Sequence, residues 1–215
     1  MASQKYKQYS VLASSTLAFT VCFMVWMMLA VVGIPVKEQL GLSETEFGIL
    51  AATPVLSGSL VRVPLGIWTD RYGGRIVFFV LMLLCVPAIF MMQYADQFWQ
   101  FLLIGLVMGL AGGSFSVGTP YVARWFPKHQ QGMAMGVFGA GNAGSAVNKF
   151  LAPALIAYGT WHFVPTVYAV IMLGTAIVFW FTSYHDKSHL VSSSVTRREQ
   201  LALLKDPGVL RYSQY

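Results

Sequence analysis

Two cations inside apolar runs give this sequence its chemistry. Arg62 lies in LSGSLVRVPLGIW and Lys149 in GNAGSAVNKFLAPAL. Placing an arginine at the centre of a membrane helix costs about 2.5–3.5 kcal/mol on the insertion scale, so such a residue needs a reason to be there. The eight acids, Glu38, Glu44, Glu46, Asp70, Asp96, Asp186, Glu199 and Asp206, all fall between the apolar runs. Cation exporters and many proton-coupled carriers keep an Asp or Glu within the membrane, and that group is missing here. A guanidinium presents planar, bidentate donors to an oxyanion and stays charged at any working pH. The pattern therefore points to a small anion. Catalytic signatures are thin: His129, His162, His185 and His189 sit at run ends or in connectors, with no HExxH pair, GxSxG elbow or P-loop. No enzyme activity, cofactor or metal is expected, and Cys22 and Cys85 lack metal spacing.

The neighbours of these cations suggest how they are held. On a helix, Gly58, Ser59, Gly66 and Thr69 share a small, polar stripe with Arg62, which is expected to face the bundle interior or water. The plainer alternative is that Arg62 snorkels to the headgroups. Around Lys149, a 100° step puts Met135, Phe138, Gly139, Asn142, Ser145, Ala146 and Lys149 on one side, open to a cavity. Gly132, Gly136, Ala140 and Gly144 form a small-xxx-small ridge turned away from it, for packing. Snorkelling is the alternative for Lys149, and for Asn142 it is an interhelical hydrogen bond worth about 1 kcal/mol. One run earlier, Gly105, Gly109, Gly112, Gly113, Ser116 and Pro120 occupy one sector, read as close-packing surface.

The elements that carry these residues are membrane helices. The chain is 56% hydrophobic and 10% charged with a mean hydropathy of +0.62, against roughly 25% charged in an ordinary soluble domain. Six stretches approach the roughly 20 apolar residues that a bilayer requires. They lie near 11–34, 47–68, 75–94, 98–122, 131–157 and 162–184. The first is too long for a signal-peptide core and is expected to stay. Ser43-x-x-Glu46 is a capping box that opens the second. With the N-terminus inside, eleven of the fourteen Lys and Arg fall on the cytoplasmic side, Lys37 alone falls outside, and Arg62 and Lys149 are in the membrane. That bias fixes the orientation. Bases scattered over short connectors form no stripe, so nucleic acid is not expected as a partner despite the net charge of +6. Beyond Tyr184 the composition turns polar. Thr196-x-x-Glu199 opens a short amphipathic helix, Pro207 ends it, and GVLRYSQY resembles the approach to a seventh span.

Three motifs carry a family resemblance. Gly66-x-x-x-Asp70-Arg71-x-Gly73 resembles the loop signature of the major facilitator superfamily, which latches two halves on the cytoplasmic side. AGGSFSVGTPYVARWFP and GVFGAGNAGSAV resemble the signature of its nitrate/nitrite porters (NarK-type), and the likeness runs over nearly the whole chain. The resemblance implies an all-α, six-span membrane bundle, the N-terminal half of a major facilitator fold, embedded in an inner cell membrane. It implies latch positions at Gly66, Asp70, Arg71 and Gly73, and an anion site on Arg62 and Asn142, with Gly141, Ser145 and Lys149 beside it. It leaves packing to Gly105, Gly109, Gly113, Gly132, Gly136 and Gly144. The partners implied are nitrate or nitrite, a proton, the lipid bilayer and a missing C-terminal six-span half that supplies a second arginine. GNAGSAVNKF and LLKDPGVLRYSQY look more like the proton-coupled branch than the exchangers. Two rivals stand beside this reading: a half for another anion, such as phosphate or an organic acid, and a truncated protein that transports nothing.

Overall fold

The computed structural model describes residues 4–185, which are helical with no strand among them. The expected linker helix and the start of a seventh span, in 187–215, lie outside the described residues. Five helical units are long and apolar enough to cross a membrane: Gln4–Leu40, Glu44–Tyr72, Gly74–Tyr94, Phe98–Trp125 and Phe163–Thr182. A further unit over 128–158 lies between the last two in sequence. Its glycines, two asparagines and Lys149 keep it less apolar than the others. The bundle thus has the six expected elements.

Several of them are interrupted, each for a local reason. The first is α1 (Gln4–Trp26) followed by α2 (Leu29–Leu40), with a turn at Met27 and Met28. There the amide of Val31 bonds Met28 O instead of the carbonyl four residues back. The Met27 carbonyl accepts from Asn148 Nδ2 at 2.8 Å, a side chain inserted into the ladder, which is a recognised cause of a kink. α3 (Glu44–Tyr72) opens on the expected capping box, in which Ser43 and Glu46 cap each other's backbone. It ends at Gly73, whose φ of 87° favours glycine, and α4 (Gly74–Met91) begins at once. The fourth unit is α5 (Phe98–Met108), a 3-10 stretch over Gly109–Gly113 and α6 (Ser114–Trp125). The fifth is α7 (Lys128–Gly139), a 3-10 stretch over Ala140–Ala143 and α8 (Gly144–Tyr158); α9 (Phe163–Thr182) closes the bundle. A 3-10 stretch therefore interrupts each glycine-rich unit, where continuous α-helix was expected from sequence.

α1 lies at the centre, packed against α6, α7, α8, α9 and both 3-10 stretches, while α4 packs along α9. Phe19, Cys22, Val25, Phe78, Tyr121, Phe138 and Phe179 fill the interior at 1% exposure or less. At the end where α6 and α9 finish, side chains from other helices satisfy carbonyls that have no intrahelical partner. Gln8 donates to Trp125 O at 2.7 Å, while Ser10 and Arg75 donate to Thr182 O and Trp180 O, both at 2.6 Å. α3 is the outlier. Only 22% of its apolar window is buried, against 44–56% for the other four qualifying spans.

Candidate functional site

Arg62 lies ten residues before the end of α3, about 15 Å along the axis from Tyr72. Its side chain is exposed and makes no hydrogen bond or ion pair among the described residues. The stripe expected to hold it inside the bundle divides. Gly58 and Thr69 turn inward and are buried, Ser59 is exposed, and a Cβ on Gly66 would meet nothing within 4 Å. Of the two surroundings expected for Arg62, the interior of this bundle is therefore not the one it occupies: it is exposed on the least covered of the five qualifying spans. Packing explains this. The inward face of α3 is taken by glycine contacts with the fourth unit, which leave no room for a guanidinium. A Cβ on Gly58 would lie 2.8 Å from Gly109 O, and one on Gly109 would lie 1.7 Å from Ser57 Oγ. A Cβ on Gly105 would come within 3.1 Å of Leu29 and one on Gly113 within 2.3 Å of Leu65. A Cβ on Gly112 would lie 2.6 Å from Trp26 Nε1, so all four glycines of that sector lie against neighbouring helices.

The fifth unit departs further from its expected faces. Asn142 is exposed in the 3-10 stretch and donates through Nδ2 to Gly139 O at 2.8 Å, while Ser145 donates to Asn142 O at 3.0 Å. Lys149 is exposed, with no hydrogen bond or ion pair among the described residues. Gly141 is a packing position, because a Cβ there would meet Phe19 at 2.4 Å. Gly144 packs even more tightly, 2.0 Å from Thr20 O. Gly132 and Gly136, expected in the same ridge, would carry a Cβ into open space. Phe138, placed beside Asn142 by a 100° step, is buried and stacks on Phe19 at 4.8 Å. The physical reason is the 3-10 stretch, which turns about 120° per residue and rotates everything after it relative to an α-helical count.

Two features went unseen in the sequence. Asn148, 1% exposed, donates to Met27 O and accepts from the hydroxyl of the buried Tyr168 at 2.8 Å, tying α8 and α9 to the break in the first unit. A second asparagine beside Lys149 was the available signal. The other is an aromatic string along α1. Phe19, Phe23 and Trp26 contact in sequence at 5.6 and 5.1 Å, and Phe115 lies 5.7 Å from Phe19. Their i, i+4, i+7 spacing was visible. Trp26 ends the string by donating to Pro54 O of α3 at 2.9 Å, which ties the first unit to α3. The string lies between the helix bearing Arg62 and the stretch bearing Asn142, and no hydrogen bond joins those two residues.

Among the latch residues, Asp70 forms a partly exposed ion pair with Arg124 of α6. Arg71 is exposed, with its guanidinium 5.7 Å from the ring centre of Tyr72.

Helices of membrane length, tied through glycine contacts and carrying unpaired cations on an uncovered face, define a polytopic all-α membrane protein. Over residues 15–212 the sequence matches the Major Facilitator Superfamily, and the chain belongs to that family. It is 43% identical over 183 residues to a protein of Thermus thermophilus named probable nitrate/nitrite antiporter NarK1, covering 80% of this chain and 41% of the relative. A nitrite extrusion protein of Bacillus subtilis is 31% identical over 187 residues, covering 86% and 47%. The probable nitrate transporter NarT of Staphylococcus carnosus is 33% identical over 170 residues, covering 79% and 44%. The chain thus spans less than half the length of these relatives. In fold it is similar to a bacterial homologue of the human lysosomal transporter Spinster, inward-facing and unoccupied, with a TM-score of 0.74 at 18% identity, covering 95% of this chain and 49% of that one.

Proposed function

We propose that this chain forms the N-terminal half of a carrier that moves nitrate or nitrite across an inner cell membrane by alternating access. The observation that carries the reading is Arg62: a guanidinium at membrane depth, exposed on the least buried of the five qualifying spans, with no carboxylate paired to it among the described residues. Such a group is costly against acyl chains, so the exposed face of α3 is one that meets protein, water or an anion. Carriers of this kind rock two repeats about a midplane site, and the bare face fits the surface that a second half would cover. In this mechanism Arg62 neutralises the entering anion and Asn142 orients it through the acceptor and donor capacity left outside its bond to Gly139. Lys149 adds positive potential further out on the same unit. The names of the relatives supply the substrate class, and the acid-free spans agree with it. We assign the N-terminus to the cytoplasm from the lysine and arginine bias and favour coupling to a proton from the likeness of the fifth unit to that branch.

The test is nitrate uptake by the full-length carrier bearing Arg62→Lys or Arg62→Gln. Lysine keeps the charge but loses the fork. Uptake is expected to fall at least tenfold in both variants, and unchanged uptake would remove Arg62 from the site. Competition by nitrite and chlorate, against phosphate and lactate, separates nitrate from another anion. Expressing residues 1–215 alone in uptake-deficient cells tests the half-carrier reading, which expects no flux. Uptake that ignores the proton gradient would rule out symport.

A further inference from the structure

We propose that the cleft between α3 and α4 is a binding site for one acyl chain of an anionic phospholipid, with Arg71 holding the headgroup phosphate. The cleft has a volume of about 330 Å³, and Leu65, Trp68 and Tyr72 of α3 face Ile76, Val80 and Leu84 of α4 across it. No charged side chain is in its wall. It runs along α3 from Tyr72 to Val61, about 16 Å at helical rise, close to the roughly 15 Å depth of one leaflet's hydrocarbon. Trp68, Ile76, Val80 and Leu84 remain 40–54% exposed, so the bundle does not close the cleft.

The headgroup end sets the lipid's charge. Arg71, Arg75 and Arg124 all lie there, and two of them are committed to protein partners. Arg124 pairs with Asp70, whereas Arg75 donates to Trp180 O and lies 4.4 Å from the Trp180 ring centre. Among the described residues Arg71 has neither a carboxylate nor a carbonyl partner; it lies beside the ring of Tyr72, which itself lines the cleft. The neighbouring carboxylate of Asp70 pairs with Arg124 and not with Arg71. An unpaired guanidinium at the mouth of a leaflet-deep apolar slot matches a phosphate joined to an acyl chain. A second cleft of about 550 Å³ between α4 and α5, lined by Leu84, Met91, Trp99 and Leu103 among others, likewise has no charged residue in its wall, but the connector beside it carries Asp96 in place of an arginine, and it serves as an internal comparison. The proposal needs a bilayer but not a transported substrate.

Trp68 makes the site measurable. The full chain is placed in nanodiscs of phosphatidylcholine containing a minor fraction of brominated phosphatidylglycerol or brominated phosphatidylcholine. Quenching of Trp68 is taken as the difference between wild type and Trp68→Phe. Brominated phosphatidylglycerol is expected to quench at about fivefold lower mole fraction, the preference that one basic side chain gives near a membrane surface. Arg71→Gln is expected to abolish that contrast and Arg71→Lys to keep most of it. Val80→Trp, which fills the slot without touching Arg71, is expected to reduce retention of phosphatidylglycerol in native mass spectrometry. Equal quenching by the two lipids would mean ordinary bilayer contact, no quenching by either would mean that protein covers the cleft, and a contrast surviving Arg71→Gln would place the headgroup elsewhere. Each of these three results overturns the proposal.

Discussion

Replacing Asn148 with leucine tests whether the break in the first span is held in place by a neighbour. The substitution preserves approximate volume and removes two hydrogen bonds, one to Met27 O and one from Tyr168, both at 2.8 Å. Asn148 and Tyr168 are 1% and 0% exposed, so water does not readily replace either partner. In soluble proteins an orphaned buried group costs about 1–3 kcal/mol. Between membrane helices the measured average is nearer 0.6 kcal/mol per bond with a maximum of about 1.7, and that scale applies here. Two bonds then give about 1–3 kcal/mol. Tyr168→Phe, which removes one bond, should cost about half as much, and the double variant should cost less than the sum because the bond between them is lost only once. The assay is unfolding by a denaturing detergent, followed by maleimide labelling of Cys22 and Cys85, both wholly buried and free. Midpoints for Asn148→Leu within about 0.3 kcal/mol of wild type would refute the view that this side chain holds the kink.

Four other outcomes follow from the packing. Gly144→Ala should unfold the protein at markedly lower detergent than wild type, because its Cβ would press within 2.0 Å of Thr20 O on a backbone that cannot yield. Gly132→Ala in the same labelling assay should be neutral or stabilising by up to about 1 kcal/mol, since its Cβ meets open space. Ser43→Ala should lower stability by about 1 kcal/mol through loss of the capping box, read as earlier proteolysis at the start of α3. Asp70→Asn, which breaks a partly exposed pair with Arg124, should cost no more than about 1 kcal/mol in detergent unfolding, with the loss shrinking at high salt.

The architecture was readable because a membrane leaves few options: long apolar runs have to be helices, and the structure places helical units over all six expected stretches. The Ser43–Glu46 cap was readable for the same local reason, since three residues of spacing contain the whole motif. Faces were harder. A uniform 100° step puts the two ends of the fifth unit in one register, but the 3-10 stretch at 140–143 rotates α8 relative to α7, so Phe138 is buried while Asn142 and Lys149 are exposed, and Gly144 is packed while Gly132 and Gly136 face open space. Arg62 illustrates the other limit. Its depth follows from counting residues, but its outward aim depends on Gly109 and Ser57 having already filled the inner face of α3. Asn148 was passed over because one asparagine in a helix carries no hint of a carbonyl released 121 residues earlier in the chain.

The 3-10 stretch over Ala140–Ala143 has the properties of a screw thread. It rises about 2.0 Å per residue where an α-helix rises about 1.5 Å, and it turns about 20° more at each step. Rewinding those four residues into α-helix would draw α8 about 2 Å toward α7 and swing Lys149 through about 80°, with no helix bending. A cation can thereby be re-aimed by advancing a thread instead of tilting a rod. Spin labels on α7 and α8 would read the advance as a change of about 2 Å, and one fixed distance under every substrate and pH condition would show the thread to be locked.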